Sequence, residues 1–411
     1  MSDPTLLQQI TDYSNRHDPY PLYARLREKP VHHDETGPYV VGGYHAVRAL
    51  LHDPRISSER RNRTAPAELP GQEGGDESGT LPPNFLRLDP PEHDRLRAIT
   101  NRPFGPPHSP RRIDGMRGEL QTIVSGLTDA LDGDEIDLVE RFSYPFPVTV
   151  ICRLLGVPRE DESRFHGWAD VLVASLDPQP GQDVTERDRV AQQARIELGL
   201  YLNGLVEERR KSPGTDMLSQ LASGDAPEGR MSNMEVLSTA ALLLIAGHET
   251  TVNLITNGML TLLRHPEVLE RLRADARLAA PLVEELLRYE PPVQMLPGRT
   301  PITDIEVAGT TIPKGASLWL MVASGNRDPE RFADPDRFDP DRVDNQHLGL
   351  GSGIHSCFGA PLARLEAQLA LAELARRLER PRLVEDPPPY RTNAVLRGPR
   401  QLRIAIDGVR P

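Results

Sequence analysis

The stretch Leu350-Gly-Ser-Gly-Ile-His-Ser-Cys-Phe-Gly359 sets one cysteine, Cys357, in a glycine-rich turn ahead of a helical pattern over Ala360–Leu378. The N-terminus of a helix offers free N–H groups and a positive dipole, which together stabilise a thiolate. Glycines at positions 351, 353 and 359 would let the backbone approach a large, flat ligand. A plainer interpretation is a buried cysteine that packs as a small apolar side chain. Cys357 is therefore a candidate ligand whose role depends on the rest of the chain.

Two other kinds of ligand site fit this segment poorly. A zinc site built on His355 and Cys357 lacks further ligands nearby in the sequence. A phosphate-binding loop would need the Walker spacing or Gly-x-Gly-x-x-Gly, and the segment has neither.

The composition of the 411-residue chain excludes several classes of protein. Two cysteines, Cys152 and Cys357, are too few for a disulfide framework, a four-cysteine zinc site or a cysteine-ligated iron–sulfur cluster. The net charge of −12 argues against a chain that binds nucleic acid over its whole surface. The N-terminal residues do not read as a secretory signal, and the longest strongly apolar run, Ala240–Ala246, is too short to cross a bilayer. We expect a cytoplasmic protein that binds neither nucleic acid nor membrane.

Helical patterns dominate the chain and strand patterns are few and short, which predicts a mainly α protein with small β-sheets. One helix over Ser232–Arg264 would span about 50 Å and end at His265-Pro266, where proline prevents its continuation. Segments 64–83 and 177–188 are predicted to be lid or binding loops, and Thr215–Arg230 a further loop. No linker divides residues 1–411, so we expect a single domain. Other helices are predicted over Tyr20–Glu28, His45–Leu51, His93–Asn101, Arg112–Leu131, Pro147–Leu155 and Ala280–Tyr289, and strands at 39–42, Ile305–Ile312, Ser317–Val322 and Leu402–Ile406.

Two short motifs precede the cysteine loop. Ala246-Gly-His-Glu-Thr250 lies in the middle of the long helix, where small residues allow close approach and a threonine hydroxyl can bond a helix carbonyl and locally open the helix. An acid beside an alcohol can also relay a proton. Glu285-Leu-Leu-Arg288 is an acid–arginine pair at i,i+3, a spacing that is common on any helix surface. Taken separately, each motif is also compatible with an ordinary amphipathic helix.

In combination, these segments resemble the cytochrome P450 family. That family's haem loop reads Phe-Gly-x-Gly-x-His/Arg-x-Cys-x-Gly, and this chain departs from it only at Leu350, where phenylalanine is usual. The segment Ala246–Thr250 resembles the family's oxygen-activation motif, and Glu285 with Arg288 resembles its Glu-x-x-Arg pair. The motifs occur in the family's order, and the resemblance covers essentially the whole chain. Its short N-terminus is similar to that of the bacterial type.

The resemblance implies roles for individual residues. Cys357 would be the axial thiolate ligand of haem b, Thr250 would hydrogen-bond dioxygen, and Glu249 would deliver protons from solvent. Replacement of the usual aromatic ring by Leu350 is expected to alter packing beside the ligand without removing it. The other residues that the resemblance assigns to haem binding are His93, Arg97, Ala246, Gly247, Arg299, Leu350, Gly351, His355 and Gly359.

Glu285 and Arg288 are implied to act structurally, with a third arginine, behind the haem. Arg342 in Phe338-Asp-Pro-Asp-Arg342 is our choice for that arginine, and Arg337 is the second choice. The fold implied is the cytochrome P450 fold, in which the long central helix crosses the haem.

The reaction implied is monooxygenation of a lipophilic natural product of secondary metabolism, such as a macrolide, terpenoid or steroid, by hydroxylation or epoxidation. Electrons would come from NAD(P)H through a reductase and a ferredoxin or flavodoxin-type partner, and we expect the enzyme to be a monomer. Candidate arginines for that partner are Arg102, Arg111, Arg112 and Arg364.

Mainly apolar side chains are expected to contact the substrate, and the sequence does not choose among substrate classes. The candidates are Phe85, Leu86, Leu172, Val173, Leu176, Leu243, Leu244, Ala246, Val293, Gln294, Met295, Leu296, Val395 and Leu396.

Three alternatives stay open at the level of sequence. The same fold can carry out peroxygenation, phenol coupling, dehydration or another non-hydroxylating oxidation, although such branches often lose the acid–alcohol pair that Glu249 and Thr250 form here. A haem-binding sensor or carrier without turnover would not need that pair. The third alternative is a scaffold without haem, in which Cys357 belongs to the core.

Overall fold

The computed structural model describes residues 3–64, 83–104, 111–176, 184–224 and 226–411. The two predicted lid loops, 64–83 and 177–188, therefore fall largely outside the described residues. The parts that are not described are 65–82 and 177–183. Among the described helices, none combines the length and the apolar character that a bilayer crossing requires.

Helices account for most of the described chain, as the sequence predicts. They are α1 Leu6–Thr11, α2 Tyr20–Arg27, α3 Tyr44–His52, α4 Glu92–Phe104, α5 Arg112–Gly115, α6 Arg117–Asp129, α7 Pro145–Leu155, α8 Glu162–Leu176, α9 Val184–Lys211, α10 Met217–Ser223, α11 Asn233–Arg264, α12 Pro266–Ala274, α13 Ala279–Tyr289, α14 Val322–Gly325 and α15 Ala360–Arg377.

The strands are short and form small sheets. They are β1 Val31–His33, β2 Tyr39–Val41, β3 Ile56–Ser57, β4 Glu135–Asp137, β5 Leu296–Pro301, β6 Ile305–Val307, β7 Thr310–Ile312, β8 Leu318–Leu320, β9 Leu378–Glu379, β10 Arg382–Leu383, β11 Arg403–Ala405 and β12 Gly408–Val409. The largest sheet has the order β1-β2-β8-β5-β3, in which β2 and β8 run parallel, with Val40 beside Trp319. A second sheet has the order β10-β11-β4, and the remaining strands pair as β6-β7 and β9-β12.

The chain divides into two compact units. One contains residues 1–67, 123–143 and 250–411, and its apolar core gathers side chains of β1, β2, α3 and the segment from Ile305 to Leu348. The other contains residues 68–122 and 144–249 and is built from helices, in which α8 packs on α9, α7 on α8, and α10 on both α4 and α9. The long helix α11 contributes its residues up to Glu249 to the helical unit and the rest, from Thr250, to the other.

The predicted long helix is present, and its 32 residues correspond to about 48 Å. It ends where expected, because Pro266 begins a separate helix, α12, after His265. The Ile305–Ile312 segment is a hairpin rather than one strand, since Ala308 and Gly309 both adopt positive φ between β6 and β7.

Three predictions about helices and loops were wrong in detail. The segment Thr215–Arg230 contains helix α10, which begins at an N-cap where the Asp216 carboxylate accepts a hydrogen bond from the Ser219 N–H. Helix α9 already starts at Val184, inside the second predicted lid loop. The helix predicted over Arg112–Leu131 is divided at Met116 into α5 and α6.

Candidate functional site

The loop that ends at Cys357 is closed by main-chain hydrogen bonds. The Cys357 N–H donates to the carbonyl oxygen of Leu350 at 2.8 Å, and the Gly351 N–H donates to that of Leu348, also at 2.8 Å. The Leu348 N–H is itself held by the side-chain oxygen of Asn326 at 2.7 Å. These bonds fix the main chain around the cysteine, whose side chain is exposed.

Three glycines of this region show why the loop needs residues without a side chain. Gly353 has φ of 72°, and a Cβ there would overlap the carbonyl oxygen of Leu51. A Cβ at Gly349 would overlap the carbonyl oxygen of Leu287. At Gly359, two residues after the cysteine, no atom of the described chain beyond its immediate neighbours lies within 4 Å of an added Cβ. The first two glycines allow the loop to pack against main-chain carbonyls, and the third borders open space among the described residues.

Behind this loop, the acid–arginine pair is fully buried. Arg288 donates two hydrogen bonds to the carboxylate of Glu285, at 2.7 and 2.8 Å, and neither side chain has exposed surface. The remaining N–H groups of Arg288 donate to main-chain carbonyls of Asn326, Pro335 and Arg337. A buried, bidentate pair with every donor engaged is a structural element rather than a surface contact.

Arg342 is the third member of the group, in line with the first choice made from sequence. Its Nε lies 3.5 Å from a carboxylate oxygen of Glu285, and its Nη1 donates to the carbonyl of Ala333 at 2.8 Å. Arg337 contributes only its carbonyl oxygen, because its side chain is largely exposed and lies 3.7 Å from Asp339. The loop that ends at Cys357 is thus supported by the buried group of Glu285, Arg288 and Arg342.

A second ion cluster ties helix α13 to the loop and to α15. The carboxylate of Glu284 accepts two hydrogen bonds from Arg364, at 2.7 and 2.9 Å, and lies 3.1 Å from Nε2 of His347. Burial would raise the pKa of Glu284, but the hydrogen bonds from His347 and Arg364 outweigh it and lower that pKa to about 2. Glu284 is therefore ionised at neutral pH and holds three segments together.

Helix α11, which carries the Ala246–Thr250 motif, has both buried and exposed side chains in this motif. Within the helical unit, an added Cβ at Gly247 would lie 2.9 Å from Cδ1 of Ile151, so this glycine allows α11 to pack closely on α7. His248 is buried, with its ring edge-on to Tyr144 at 4.5 Å between centroids. Glu249 is 2% exposed, whereas Ala246 is exposed.

Thr250 belongs to the same unit as Cys357, where it is partly buried. One helical turn further, Asn253 is completely buried, and its amide atoms have no hydrogen-bond partner among the described residues. A Cβ at Gly398 would overlap the oxygen of that amide, so the C-terminal segment lies directly against it. Our sequence prediction missed Asn253, although a polar residue one turn from Thr250 was a visible signal.

The predicted cations lie in both units. In the unit that holds Cys357, Arg299 is on strand β5, and Nε2 of His355 lies 2.8 Å from the hydroxyl of Ser58. In the helical unit, His93 is buried on α4 with its Nδ1 2.8 Å from Asp94, and the Arg97 guanidinium lies 6.0 Å from the centre of the Phe85 ring.

One predicted substrate contact is corrected by the structure. The side chain of Gln294 is completely buried, where its oxygen accepts a hydrogen bond from the Tyr23 hydroxyl at 2.9 Å and its nitrogen donates to the Pro291 carbonyl at 2.6 Å. Both ends of this amide are therefore used inside the protein. Its neighbour Met295 is also completely buried, so neither side chain presents a surface to a ligand.

The other predicted contacts differ in exposure. Leu86, Val293, Leu296, Val395 and Leu396 have accessible surface, and Val293 and Leu396 face each other across an isolated β-bridge. Phe85, Leu172, Leu243 and Leu244 are buried in the helical unit, and the side chains of Val173 and Leu176 lie outside the described ones. Ile245, which was not predicted, is 40% exposed beside Ala246 on α11.

The tip of the segment that carries Val395 and Leu396 is held by Arg397. This buried arginine donates to the main-chain carbonyls of Arg16 and His17, each at 2.8 Å, and forms an ion pair with Glu290. The Arg397 carbonyl in turn accepts a hydrogen bond from Asn257 of α11 at 3.0 Å.

These residues fit a haem-thiolate group. The exposed thiol of Cys357 lies on a loop whose main chain is fixed, and Gly359, two residues further along the chain, borders open space among the described residues. Arg299 and His355, which could bind the haem carboxylates, belong to the same unit as the thiol. The buried core of Glu285, Arg288 and Arg342 lies behind the loop and keeps it in place.

Comparisons with known proteins agree with this geometry. The family model described as cytochrome P450 matches residues 39–406. Cytochrome P450 monooxygenase PikC of Streptomyces venezuelae is 42% identical over 94% of this chain and 91% of the relative, and Vitamin D3 dihydroxylase of Streptomyces griseolus is 39% identical over 93% and 94%. The crystal structure of ligand-free Mycobacterium smegmatis CYP164A2 superposes with a TM-score of 0.84 at 40% identity, covering 97% of this chain and 99% of that one. The chain belongs to the cytochrome P450 family and is a mainly helical monooxygenase of that family.

Proposed function

We propose that this enzyme hydroxylates or epoxidises a lipophilic natural product, such as a macrolide, terpenoid or steroid, using O2. The observation that carries the proposal is the exposed Cys357 thiol on a loop seated by glycines and backed by a buried acid–arginine core. When bound through this thiolate, haem supplies the activation of dioxygen.

We infer that the protein's own residues position that chemistry and supply its protons. The main-chain bond from the Cys357 N–H to the Leu350 carbonyl holds the backbone that carries the thiol. On α11, the Thr250 hydroxyl is assigned to hydrogen bonding of dioxygen, and the Glu249 carboxylate to passing protons from solvent towards it. Arg299, His355, His93 and Arg97 are assigned to the haem carboxylates. The propionate and proton roles rest on the family motif and on the residue types present.

The apolar character of the accessible candidates supports a lipophilic substrate. Leu86, Ile245, Val395 and Leu396 have exposed apolar surface, while the amide of Gln294 is used internally. A similar protein is named for dihydroxylation of vitamin D3, a mostly hydrocarbon molecule. A substrate of that kind would be bound mainly by apolar contacts and oriented by few polar groups.

We infer that electrons reach the enzyme from NAD(P)H through a separate ferredoxin or flavodoxin-type protein. Of the arginines predicted to bind that partner, Arg111 is exposed, whereas Arg364 is engaged by Glu284 and Arg102 is paired with Glu228. Arg111, together with Arg112, is therefore the better candidate for an electrostatic contact. The catalytic unit proposed is a single chain with one haem, and the cytoplasmic location stays a prediction.

The ligand assignment is tested by the carbon-monoxide difference spectrum of the reduced protein. We expect the spectrum typical of haem-thiolate proteins, its loss in Cys357→Ser, and its retention in Cys152→Ser, because Cys152 is buried within α7. A spectrum without the thiolate band in the unaltered protein would refute the proposal.

The proton-delivery assignment is tested by the coupling of NADPH oxidation to product. Thr250→Ala is expected to keep the thiolate spectrum and to divert most electrons into hydrogen peroxide or water. Thr251→Ala is the matched control, because Thr251 is the next residue of the same helix and is buried. Unchanged coupling in Thr250→Ala would show the assignment to be wrong. Product formed with hydrogen peroxide alone, at a rate equal to that with NADPH, would instead favour peroxygenation.

The substrate class is tested by screening macrolides, terpenoids and steroids for a shift of the resting haem spectrum. Leu396→Glu is expected to weaken a shift caused by an apolar compound, because it places a charge in an apolar wall. Gln294→Leu is the comparison, since the Gln294 side chain has no exposed surface.

A further inference from the structure

The outer side of helix α9 carries an apolar pair that stays accessible among the described residues of the helical unit. Ile196 and Leu200 are four residues apart, hence on one side of the helix, and their exposed fractions are 43% and 70%. Most exposed apolar residues occur singly and need no explanation. These two adjoin each other at the middle of a 28-residue helix, with polar residues on either side.

Helix α9 also contains two glycines at positions where the packing of the described residues would accept a larger side chain. Beyond its own helix, no atom of the described residues lies within 4 Å of a Cβ added at Gly199 or at Gly204. Glycine destabilises a helix relative to alanine, so the partly buried Gly199 and the exposed Gly204 both carry a cost. A benefit that offsets this cost is close approach of another body to the helix backbone.

The charges along this side are ordered so that the helix complements itself when reversed. Starting from the N-terminus, Glu186 and Arg189 precede the apolar pair, and Glu207 and Lys211 follow it. Arg189 and Glu207 lie nine residues before and nine residues after Leu198. Two antiparallel copies centred there would place Arg189 opposite Glu207, and Glu186 one residue from the position opposite Lys211.

The uncharged positions agree with the same register. Ile196 would meet Leu200 of the other copy, and the long side chain of Gln193 would lie one residue from the position opposite Gly204, where no Cβ obstructs it. Arg189 and Glu186 are 67% and 57% exposed, so both charges are accessible for such contacts in addition to the bond that they share within the helix.

We propose that the outer side of α9 binds the same surface of a second copy of this chain, antiparallel and around a twofold axis. Most homodimers have such a twofold axis, so that the contact of one residue with a second residue of the partner occurs twice, once in each direction. The alternation of acidic and basic groups fits a second α9 better than a surface of one sign, such as nucleic acid or anionic lipid. The proposal adds self-association to the proposed function and does not depend on it, because each copy keeps its own Cys357.

The contact area that one helix can bury determines how tightly the two copies are expected to bind. Contact along a single helix from each copy lies at the lower end of specific protein interfaces, which bury about 1,200 Å² or more in total. The dimer should therefore be concentration-dependent, with a monomer at catalytic dilution. The expected dissociation constant is on the order of micromolar, typical of small interfaces.

Sedimentation velocity of the haem-loaded, full-length protein over a wide concentration range tests the proposal. We expect a shift from monomer to dimer in the unaltered protein, and a dissociation constant at least about tenfold higher in Leu200→Glu, as for an apolar residue at the centre of an interface. Val343→Glu is the control, because Val343 is fully exposed in the unit that does not contain α9. A protein that remains monomeric throughout, or a Leu200→Glu variant that associates as the unaltered protein does, would overturn the proposal.

A charge exchange tests the antiparallel register itself. Arg189→Glu and Glu207→Arg should each weaken association, because each places like charges opposite one another in both halves of the dimer. The two changes together restore opposite charges and should restore association. Circular dichroism of each variant checks that α9 remains helical. If the combined variant associates no better than the single ones, the proposed pairing is wrong.

Discussion

The two cysteines differ in what surrounds them. Cys152 is fully buried on α7, where burial raises the pKa of its thiol to about 12, whereas Cys357 is exposed on its loop. Alkylation with iodoacetamide at mildly alkaline pH should therefore modify Cys357 alone once haem is removed, and neither cysteine when haem is bound. Mass spectrometry of tryptic peptides measures this. Modification of Cys152 ahead of Cys357 would contradict the assignment.

A second residue-scale prediction concerns the buried pair. Arg288→Ala leaves the carboxylate of Glu285 in the protein interior without its bidentate partner, which should cost about 3–5 kcal/mol of unfolding free energy. Chemical denaturation followed by circular dichroism measures the loss. The control is Arg277→Ala, which removes an arginine that is 91% exposed in its pair with Asp275 and should leave the midpoint unchanged. Equal effects of both changes would refute a structural role for the buried pair.

Individual residues also show how far sequence reasoning reaches. Arg342 was preferred to Arg337 as the third arginine from its place in the irregular stretch before the cysteine loop; its Nε lies 3.5 Å from Glu285, and its role behind the haem stays a prediction. Gln294 was misassigned because its partner, the Tyr23 hydroxyl, lies 271 positions away in the chain. Similarly, the contact of Gly247 with Ile151 cannot be read from the helix that contains the glycine. Local motifs therefore identify the chemistry, and long-range packing decides which neighbouring side chains face it.

At the scale of elements, the cysteine loop offers a matched pair of glycines. Gly353→Ala should destabilise the fold by at least about 2 kcal/mol, since its φ is positive and the new Cβ would overlap the Leu51 carbonyl. In the haem-free protein, Gly359→Ala should leave the unfolding midpoint nearly unchanged, because φ there is −79° and no atom lies within 4 Å among the described non-neighbouring residues. Thermal unfolding followed by circular dichroism compares them. A larger loss in Gly359→Ala would contradict our account of the loop.

The elements themselves were predictable where strong local signals exist. The boundary at His265-Pro266 and the start of α15 before Pro361 follow from proline alone. Helix α10 was missed although Asp216 and Ser219 form its N-cap, because the surrounding residues are typical of loops. The start of α9 at Val184 lies in a stretch of charged residues without a strong N-cap signal, so its boundary could not be read from the sequence.

At the scale of the whole molecule, acid should unfold the protein by neutralising carboxylates that arginines hold. The pKa of Glu284 is lowered to about 2 from an ordinary value of 4.5. A lowered pKa means that the stabilisation is complete above about 4.5 and is lost as the pH falls towards 2. Glu284→Gln should therefore be less stable at neutral pH and lose less stability over that interval. Urea denaturation at a series of pH values measures both, with the exposed Glu385→Gln as control; a steeper acid loss in Glu284→Gln would contradict the sign.

The fold class and the order of the motifs could be predicted for the whole chain, because the patterns of α11, the Glu285–Arg288 helix and the cysteine loop are each local. Its division into two compact units could not, because α11 contributes residues to both of them. A helix shared in this way has no composition change or linker at the boundary between Glu249 and Thr250.

The contacts of Arg397 couple the two ends of the polypeptide. Because this side chain bonds the carbonyls of Arg16 and His17, the position of Val395 and Leu396 depends on residues near the amino terminus. Chimaeras that import only a foreign segment around Val395 and Leu396 would lack the residues that support its position. Recombination between related enzymes should therefore exchange both segments together, and we predict that changes in the backbone at Arg16 and His17 shift the position of Val395 and Leu396.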